Sequence, residues 1–460
     1  MLILHVFGQL PITVVAYWRE FHALQGTAFK RDPNCPGPAG LPANRRCERC
    51  ARGLCEAPGE KFSPNCAGPD GKPPQIVCPI CMRKRQFVMR RGSVANLMQQ
   101  PGMSGRALQD AWTQRVEVIV DEMFQEALGA KALPCQYAFC LAGSGARHEA
   151  SPYSDLDCFV LVSDDGAQEV KFFHDVCKDM SDMLMAVEGN SGLRFCNIMA
   201  PFGSPGNPKA PKLIRTPHNM ADLVEWSEDS IESHISGGLQ EHRFLFGTKK
   251  LYDDFKTDLN VILAKTCFSF SSRPAITRGK KMGLKVIKDL VTDPRFTPPS
   301  STDEYFHVKE QFYRPPQFIA KGLAWYYGID AVSTHDQVTQ LVATNHMSHG
   351  VAHSFKAVMS VMAKYRFRLH LDREGEKDFV FTNQGKRDAE LAILNAKSAV
   401  SRTEAEKERH TRLTAGTLMT RAEVKDLTDV IPNLAFIMAL ARTFVKEKEK
   451  ALGKRGNPFV

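Results

Sequence analysis

Residues 140–162 read CLAGSGARHEASPYSDLDCFVLV, and most of the chemistry legible in the chain lies here. Asp155 and Asp157 are separated by one residue and lead directly into an apolar run. In an extended chain, residues i and i+2 face the same side, so the two carboxylates converge on one point. Convergent anionic oxygens favour a hard divalent cation such as Mg²⁺, which fills its remaining positions with water and substrate phosphates. Twelve residues before Asp155, the run Gly143, Ser144 and Gly145 begins. Its backbone N–H groups and the Ser144 hydroxyl suit a phosphate at the start of a short helix, and Arg147 adds positive charge beside it. Phosphoryl chemistry on a metal-bound nucleotide accounts for both halves of the motif. An Asp-x-Asp pair alone is common and usually caps a loop. The glycine turn and arginine at this spacing raise it to a site.

Positioning such a motif takes two strands and a helix to back them. The runs 136–143 and 157–163 read as strands flanking the turn. Before them, Leu108, Trp112, Val116, Ile119, Met123 and Ala127 recur at helical spacing and predict an amphipathic helix ending near Gly129. After them, Val170, Phe173, Val176, Met180, Met183 and Leu184 share one face of a helix over 166–187, and Leu193–Met199 reads as a further strand. A proline-rich loop covers 201–220. Beyond it the chain reads helical nearly throughout, over 221–246, 274–291, 307–327, 334–344, 350–370, 385–410 and 421–449. The fold class expected is α+β: a mixed sheet with helices, then an all-helical bundle. The expected divisions are a Cys-rich module over 1–100, a catalytic domain over 105–265 and a helical domain over 270–455.

With these residues in place, GSGARHEASPYSDLDCFVLV resembles the nucleotidyltransferase superfamily of DNA polymerase beta. Within it, the likeness is to the PII-protein uridylyltransferases and to bacterial nucleotidyltransferases often fused to CBS and cyclic-nucleotide-binding modules. FCNIMAP (195–201), LQEHRFLFGTKKLYDDF (239–255) and HVKEQFYRPPQFIAKGLAWYYGIDAVSTHDQV (307–338) look like later segments of that family, the second as a helix ending in an acid-x-Arg element. The resemblance implies that Gly143 and Ser144 contact a triphosphate and that Asp155 and Asp157 hold two Mg²⁺ ions. It implies attack by an acceptor hydroxyl on the α-phosphorus of an NTP, with pyrophosphate released. It also implies a third carboxylate. The 193–199 run has none, and Glu241 is the candidate, through its match to the acid-x-Arg element; a surface acid paired with Arg243 or Lys249 is the competing reading.

Seven of the thirteen cysteines fall between Cys35 and Cys81. Cys47-x-x-Cys50 and Cys78-x-x-Cys81 have the form of a four-thiolate structural zinc site, with 27 residues between the pairs. Cys35, Cys55 and Cys66 are left over and could belong to a second site. A Pro/Gly-rich segment of this kind needs some staple, and an odd count argues against disulfides. Arg83-Lys84-Arg85 and Arg90-Arg91 follow; a basic flank fits nucleic acid or a solvated face.

The 460 residues carry a net charge of +9, from 60 Lys and Arg against 51 Asp and Glu. So mild an excess suits a phosphate-bearing small molecule as well as a nucleic acid. The apolar opening, MLILHVFGQLPITVVAYW, is broken by Gly8 and Pro11 and lacks basic and cleavage flanks, so it reads as packed core. No other uninterrupted apolar run of membrane-spanning length is expected, nor a membrane partner, and a cytoplasmic location follows. The expected activity is Mg²⁺-dependent NMP transfer from an NTP to a hydroxyl, with a protein acceptor, of uridylyl- or adenylyltransferase type. Transfer onto nucleic acid and a non-catalytic nucleotide sensor are the alternatives.

Overall fold

The computed structural model describes residues 79–452 except 189–192, 197–198, 202–211, 225–229, 268–275, 299–304, 374, 376–377, 383, 398–400 and 416. Cys35, Cys47, Cys50, Cys55, Cys66 and Cys78 lie outside the described residues. So does the apolar N-terminal run. Cys81 falls in the opening turn of helix α1 (Pro79–Met98). The described residues from Gln86 onward form one compact unit.

Helix α2 (Gly105–Leu128) starts where Ser104 Oγ accepts from Ala107 N at 3.1 Å and stops at Gly129, whose φ is +57°. Its buried side includes Leu108, Trp112, Val116, Ile119, Met123 and Ala127, the stripe that the spacing predicts. Strand β1 (Tyr137–Ala142), a one-turn helix α3 (Gly143–Ala146), strand β2 (Cys158–Val162) and helix α4 (Ala167–Glu188) follow. Then come β3 (Ile214–Arg215), α5 (Pro217–Asp222), α6 (Ser230–Gln240), β4 (His242–Gly247) and α7 (Lys249–Ala264).

The sheet order is β3-β2-β1-β4, with β2–β3 parallel and the other pairs antiparallel. Strand β1 is central and buried along nearly its whole length, which its apolar composition requires. One face packs Phe139 and Tyr137 against Phe124 of α2 and Phe173 of α4. The other sets Ala138, Cys140, Phe159 and Leu161 against Ile235, Leu239, Phe255 and Leu259.

Three expectations change, the first being that the 385–410 run is two helices, Gln384–Asn395 and Glu404–Ala415. The 221–246 run is not one helix: His242–Gly247 pairs with β1 as an edge strand. The 193–199 strand is reduced, among the described residues, to a single parallel bridge between Leu156 and Phe195.

The C-terminal half holds the short pair β5 (Thr266–Cys267) and β6 (Ile276–Thr277), then α8 (Arg278–Thr292), β7 (Tyr305–His307) and a π-helical turn over Val308–Tyr313. Next are α9 (Arg314–Tyr327), α10 (Thr334–Ala343), α11 (His349–Arg373), β8 (Phe379–Phe381), α12 (Gln384–Asn395), α13 (Glu404–Ala415), β9 (Thr417–Leu418) and α14 (Arg421–Ala451). Pro315 and Pro316, in the first turn of α9, have no N–H to offer the preceding turn, and the π-helical turn lies directly before them. Leu284, Ile287, Phe312, Ile319, Leu341, Phe355, Met362, Leu434 and Ile437 form the core of this half. Strands β7, β8 and β9 form a small sheet that the sequence does not announce. Helix α14 is long and apolar enough, by length and composition, to cross a membrane. Its Leu427, Val430, Leu434, Ile437, Met438, Ala441 and Val445 are buried in this core, while Phe436 and Leu440 face outward.

Candidate active site

Three chain segments reach the same end of the sheet. Strand β1 arrives there at Ala142, β2 departs after Asp157, and β4 departs after Glu241. The registers fix this: Leu141 pairs with Cys158, Ala142 pairs with His242, and Ala142 N donates to Asp157 O at 2.9 Å.

Gly143 turns the chain out of β1 with φ +53°. A β-carbon there would lie 2.2 Å from Oδ2 of Asp157, so the glycine is required twice, by the left-handed backbone and by the carboxylate against it. Glycine turn and second aspartate are thus in contact. Gly145 O accepts from Arg243 Nη2 at 3.0 Å, Ser144 O accepts from Glu149 N at 2.9 Å, and Ser144 is half-buried. These two carbonyls, with Arg243 also paired to Glu117, hold the turn from below.

Asp155 stands two residues before Asp157. The segment between is extended, with Leu156 N donating to Arg194 O and Cys196 N to Leu156 O. Asp155 Oδ1 lies 2.9 Å from Arg194 Nε, and this pair is solvent-accessible, with the side chains 33% and 42% exposed.

Arg147 does not stand open beside the turn. It points inward, with Nε 2.9 Å from Glu149 Oε2 and Nη1 2.5 Å from Glu241 Oε2. Burial opposes its charge, but the carboxylates of Glu241 and Glu149 outweigh it and hold its pKa above the ordinary value. Glu149 is fully buried. Beyond Arg147, it accepts from Gln317 Nε2 at 2.6 Å and from Thr334 N at 2.8 Å. Burial would raise its pKa; Arg147 and the hydrogen bonds from Thr334 reverse the shift, leaving it below the usual range. Tyr313 Oη accepts from Gln109 Nε2 at 2.6 Å and sits 3.5 Å from Glu149 Oε2. This set joins the loop after α3 to α2, the π-helical turn, α9 and α10.

Glu241 is buried, not a surface acid. Its Oε2 also takes Lys321 Nζ of α9 at 2.9 Å, while its Oε1 is buried with no hydrogen-bond partner among the described residues. Lys321 lies close enough to Asp157 for their charges to interact, although burial is the larger effect and lowers its pKa.

The donor set can be tested against a hard cation. Asp155 and Asp157 are accessible or beside the turn, and the orphaned Oε1 of Glu241 is a third anionic oxygen at the same sheet end. These oxygens fit Mg²⁺ in kind. They do not form a ready cage: among the described residues, no three His, Cys, Asp or Glu side chains are arranged to hold a metal. Asp155 and Glu241 are engaged by basic side chains instead.

Sequence reasoning named Gly143, Asp155, Asp157 and Glu241, which the structure brings to one end of the sheet, but not Arg194, Glu149 and Lys321, which contact them, approach them or share Arg147 with Glu241. Glu149 lies inside the motif, where an acid two residues from Arg147 was the available signal. Nothing local marks Lys321.

With this geometry in view, residues 92–380, more than half of the chain, match the family model described as "SidM, N-terminal domain".

Proposed function

The chain belongs to the SidM N-terminal domain family, a nucleotidyltransferase-type domain, and from that premise we propose that it transfers AMP from ATP to a hydroxyl group of a protein. The observation that supports the reading is the close approach of Gly143 and Asp157, the glycine turn we read as the phosphate cradle and the carboxylate we read as a metal ligand. The acceptor oxygen attacks the α-phosphorus, the bond to the β-phosphate oxygen breaks, and pyrophosphate leaves with its electron pair. The acceptor proton passes to a carboxylate at the site or to solvent. Asp155 and Asp157, with Glu241 as third acid, would hold Mg²⁺, which would supply neutralisation of charge on the phosphates. The chain's own part is positioning: Gly143 and Gly145 admit the phosphates close to the backbone, and Asp157 fixes their orientation from the start of β2.

Adenine is favoured by the family; uridylyl transfer, which the wider resemblance suggests, is the competitor. Incubation with each α-³²P-labelled NTP, Mg²⁺ and cell lysate decides between them. Label from ATP on a protein, absent in Asp155→Ala/Asp157→Ala, supports the reading. No label above that of the double variant overturns it.

A second reading, a nucleotide sensor without turnover, is favoured by one observation. Glu241 is committed to Arg147 and Lys321 and is not open. Nucleotide binding without transfer in the wild type would select it. For the N-terminal module we propose structural zinc on Cys47, Cys50, Cys78 and Cys81, supported by the spacing of the two pairs.

A further inference from the structure

Glu241 and Arg243, two residues apart at the entry to β4, both reach the loop that follows β1, as same-side residues of an extended chain do. Glu241 Oε2 accepts from Arg147 Nη1 at 2.5 Å, and Arg243 Nη2 donates to Gly145 O at 3.0 Å. Their targets are also two apart and run in the opposite order, which follows from the antiparallel pairing of β1 with β4.

The first contact joins two side chains, whereas the second holds the backbone of the glycine turn itself. Gly145 O also accepts from His148 N at 3.3 Å, a longer bond within the loop. A charge-assisted bond from a guanidinium is roughly twice as strong as a neutral one. Arg243 is 25% exposed, so water competes for it, and a partner is needed to keep it turned inward. Glu117 of α2 is that partner: its Oε1 accepts from the same Nη2 that reaches Gly145 O. The carboxylate is 19% exposed, and both members of the pair are mostly covered, unlike the open pairs that contribute little. Helix α2 is itself fixed on the sheet through Phe124 against Phe139, so Glu117 stands on a rigid base.

We propose that Glu117 is a positioning residue of the transfer reaction: by orienting Arg243 it holds the Gly145 carbonyl, and with it the turn in which Gly143 meets Asp157. The proposal rests on the reading of Gly143–Gly145 and Asp157 as the nucleotide end of the site. Glu117 touches neither nucleotide nor acceptor in this role. Its effect passes through Arg243, although His148 Nε2, 3.8 Å from Glu117 Oε1, offers a rival route.

The test is AMP transfer from α-³²P-ATP to protein in a cell lysate, measured with the full chain over a range of ATP concentrations and beside thermal unfolding. Glu117→Ala should lower kcat/KM for ATP by about tenfold, because a displaced turn misplaces the phosphates. Its unfolding midpoint should move by about 4 °C or less, as for an ordinary substitution at a partly exposed position. Glu117→Gln keeps an oxygen to accept from Nη2 and should return to within about threefold of wild type. Arg243→Met should match Glu117→Ala. The double variant Glu117→Ala/Arg243→Met should be no slower than Arg243→Met, because residues acting through one contact do not add.

Wild-type kcat/KM in a folded Glu117→Ala overturns the proposal. So does a Glu117→Gln as slow as the alanine variant, or a double variant clearly slower than Arg243→Met, the result expected of the His148 route. Should Glu117→Ala not fold, Arg243→Met decides, and wild-type kcat/KM there overturns the proposal. Failure of the underlying site reading has its own signature: Asp155→Ala/Asp157→Ala would transfer AMP as the wild type does, or the wild type would label nothing, and the positioning role falls with it. Loss of transfer in that double variant with unaltered transfer in Glu117→Ala defeats the positioning role alone.

Discussion

Oδ2 of Asp157 occupies the space that a β-carbon on Gly143 would need, at 2.2 Å. The aspartate and the glycine therefore constrain each other, and the turn is shaped around the carboxylate.

Gly143→Ala should consequently lose transfer by about 100-fold or more, the scale on which displacement of a reacting group by an ångström acts. The backbone cost of an alanine at φ +53° is only about 1–2 kcal/mol, so the variant should remain folded. Labelled-AMP transfer measured beside thermal unfolding separates the two effects. Wild-type turnover in the alanine variant would mean that the turn does not meet the phosphates.

Glu149→Gln should destabilise the protein strongly. The carboxylate accepts from Arg147, Gln317 and Thr334 N while fully buried, and neutralising it leaves Arg147 with Glu241 alone. Breaking a buried ion pair from one side costs about 3–5 kcal/mol. Urea denaturation measures it, and a loss below about 1 kcal/mol, the effect of an ordinary substitution, would show that the set does not brace the fold.

His242 should make stability depend on pH. The ring is buried, its Nδ1 lies 3.0 Å from Tyr252 Oη, and burial pushes its pKa down to about 4 from 6.5. A base whose pKa is lower in the folded state is protonated first in the unfolded chain. Its contribution is therefore complete above about pH 6.5 and is lost as pH falls towards 4. His242→Asn, compared with wild type by denaturation across that interval, should show a shallower decline. Parallel curves would place the titration elsewhere.

Zinc should be measurable in the purified chain by elemental analysis, and Cys47→Ser/Cys50→Ser should remove it. Strong chelation should release about one ion per chain as four thiolates lose their metal. A wild-type protein free of zinc after expression in zinc-supplemented medium would leave the cysteine pairs without this role.

Much of the sheet half was legible because its elements carry strong local patterns. Helix α2 declares itself through six apolar positions at helical spacing and ends at a glycine. Strands β1 and β2 are short apolar runs on either side of a polar turn. Strand β4 was read as helix because HRFLFG places its apolar residues in succession, a pattern shared by a strand and a helix fragment. As an edge strand with mostly half-buried residues, it shows no alternation to correct the reading. The β7-β8-β9 sheet joins pieces of two or three residues far apart in sequence, below the length at which any period exists. At the candidate site, Gly143, Ser144, Gly145, Asp155 and Asp157 lie within fifteen positions of one another and could be read together. Glu149 meets Thr334 across 185 positions and Gln317 across 168, and no local pattern encodes such a meeting.

Helix α2 also touches the helical half directly. Gly105 N donates to Ser360 Oγ at 3.1 Å, and a β-carbon on Gly105 would lie 2.0 Å from the Ser360 carbonyl oxygen. Together with the Glu149 contacts, this sews the sheet to the bundle at two separate places. Grafting the bundle of one relative onto the sheet of another would then fail unless both seams travel with it. Diversification among such chains should fall on loops and outer faces, with the two halves inherited as a matched pair.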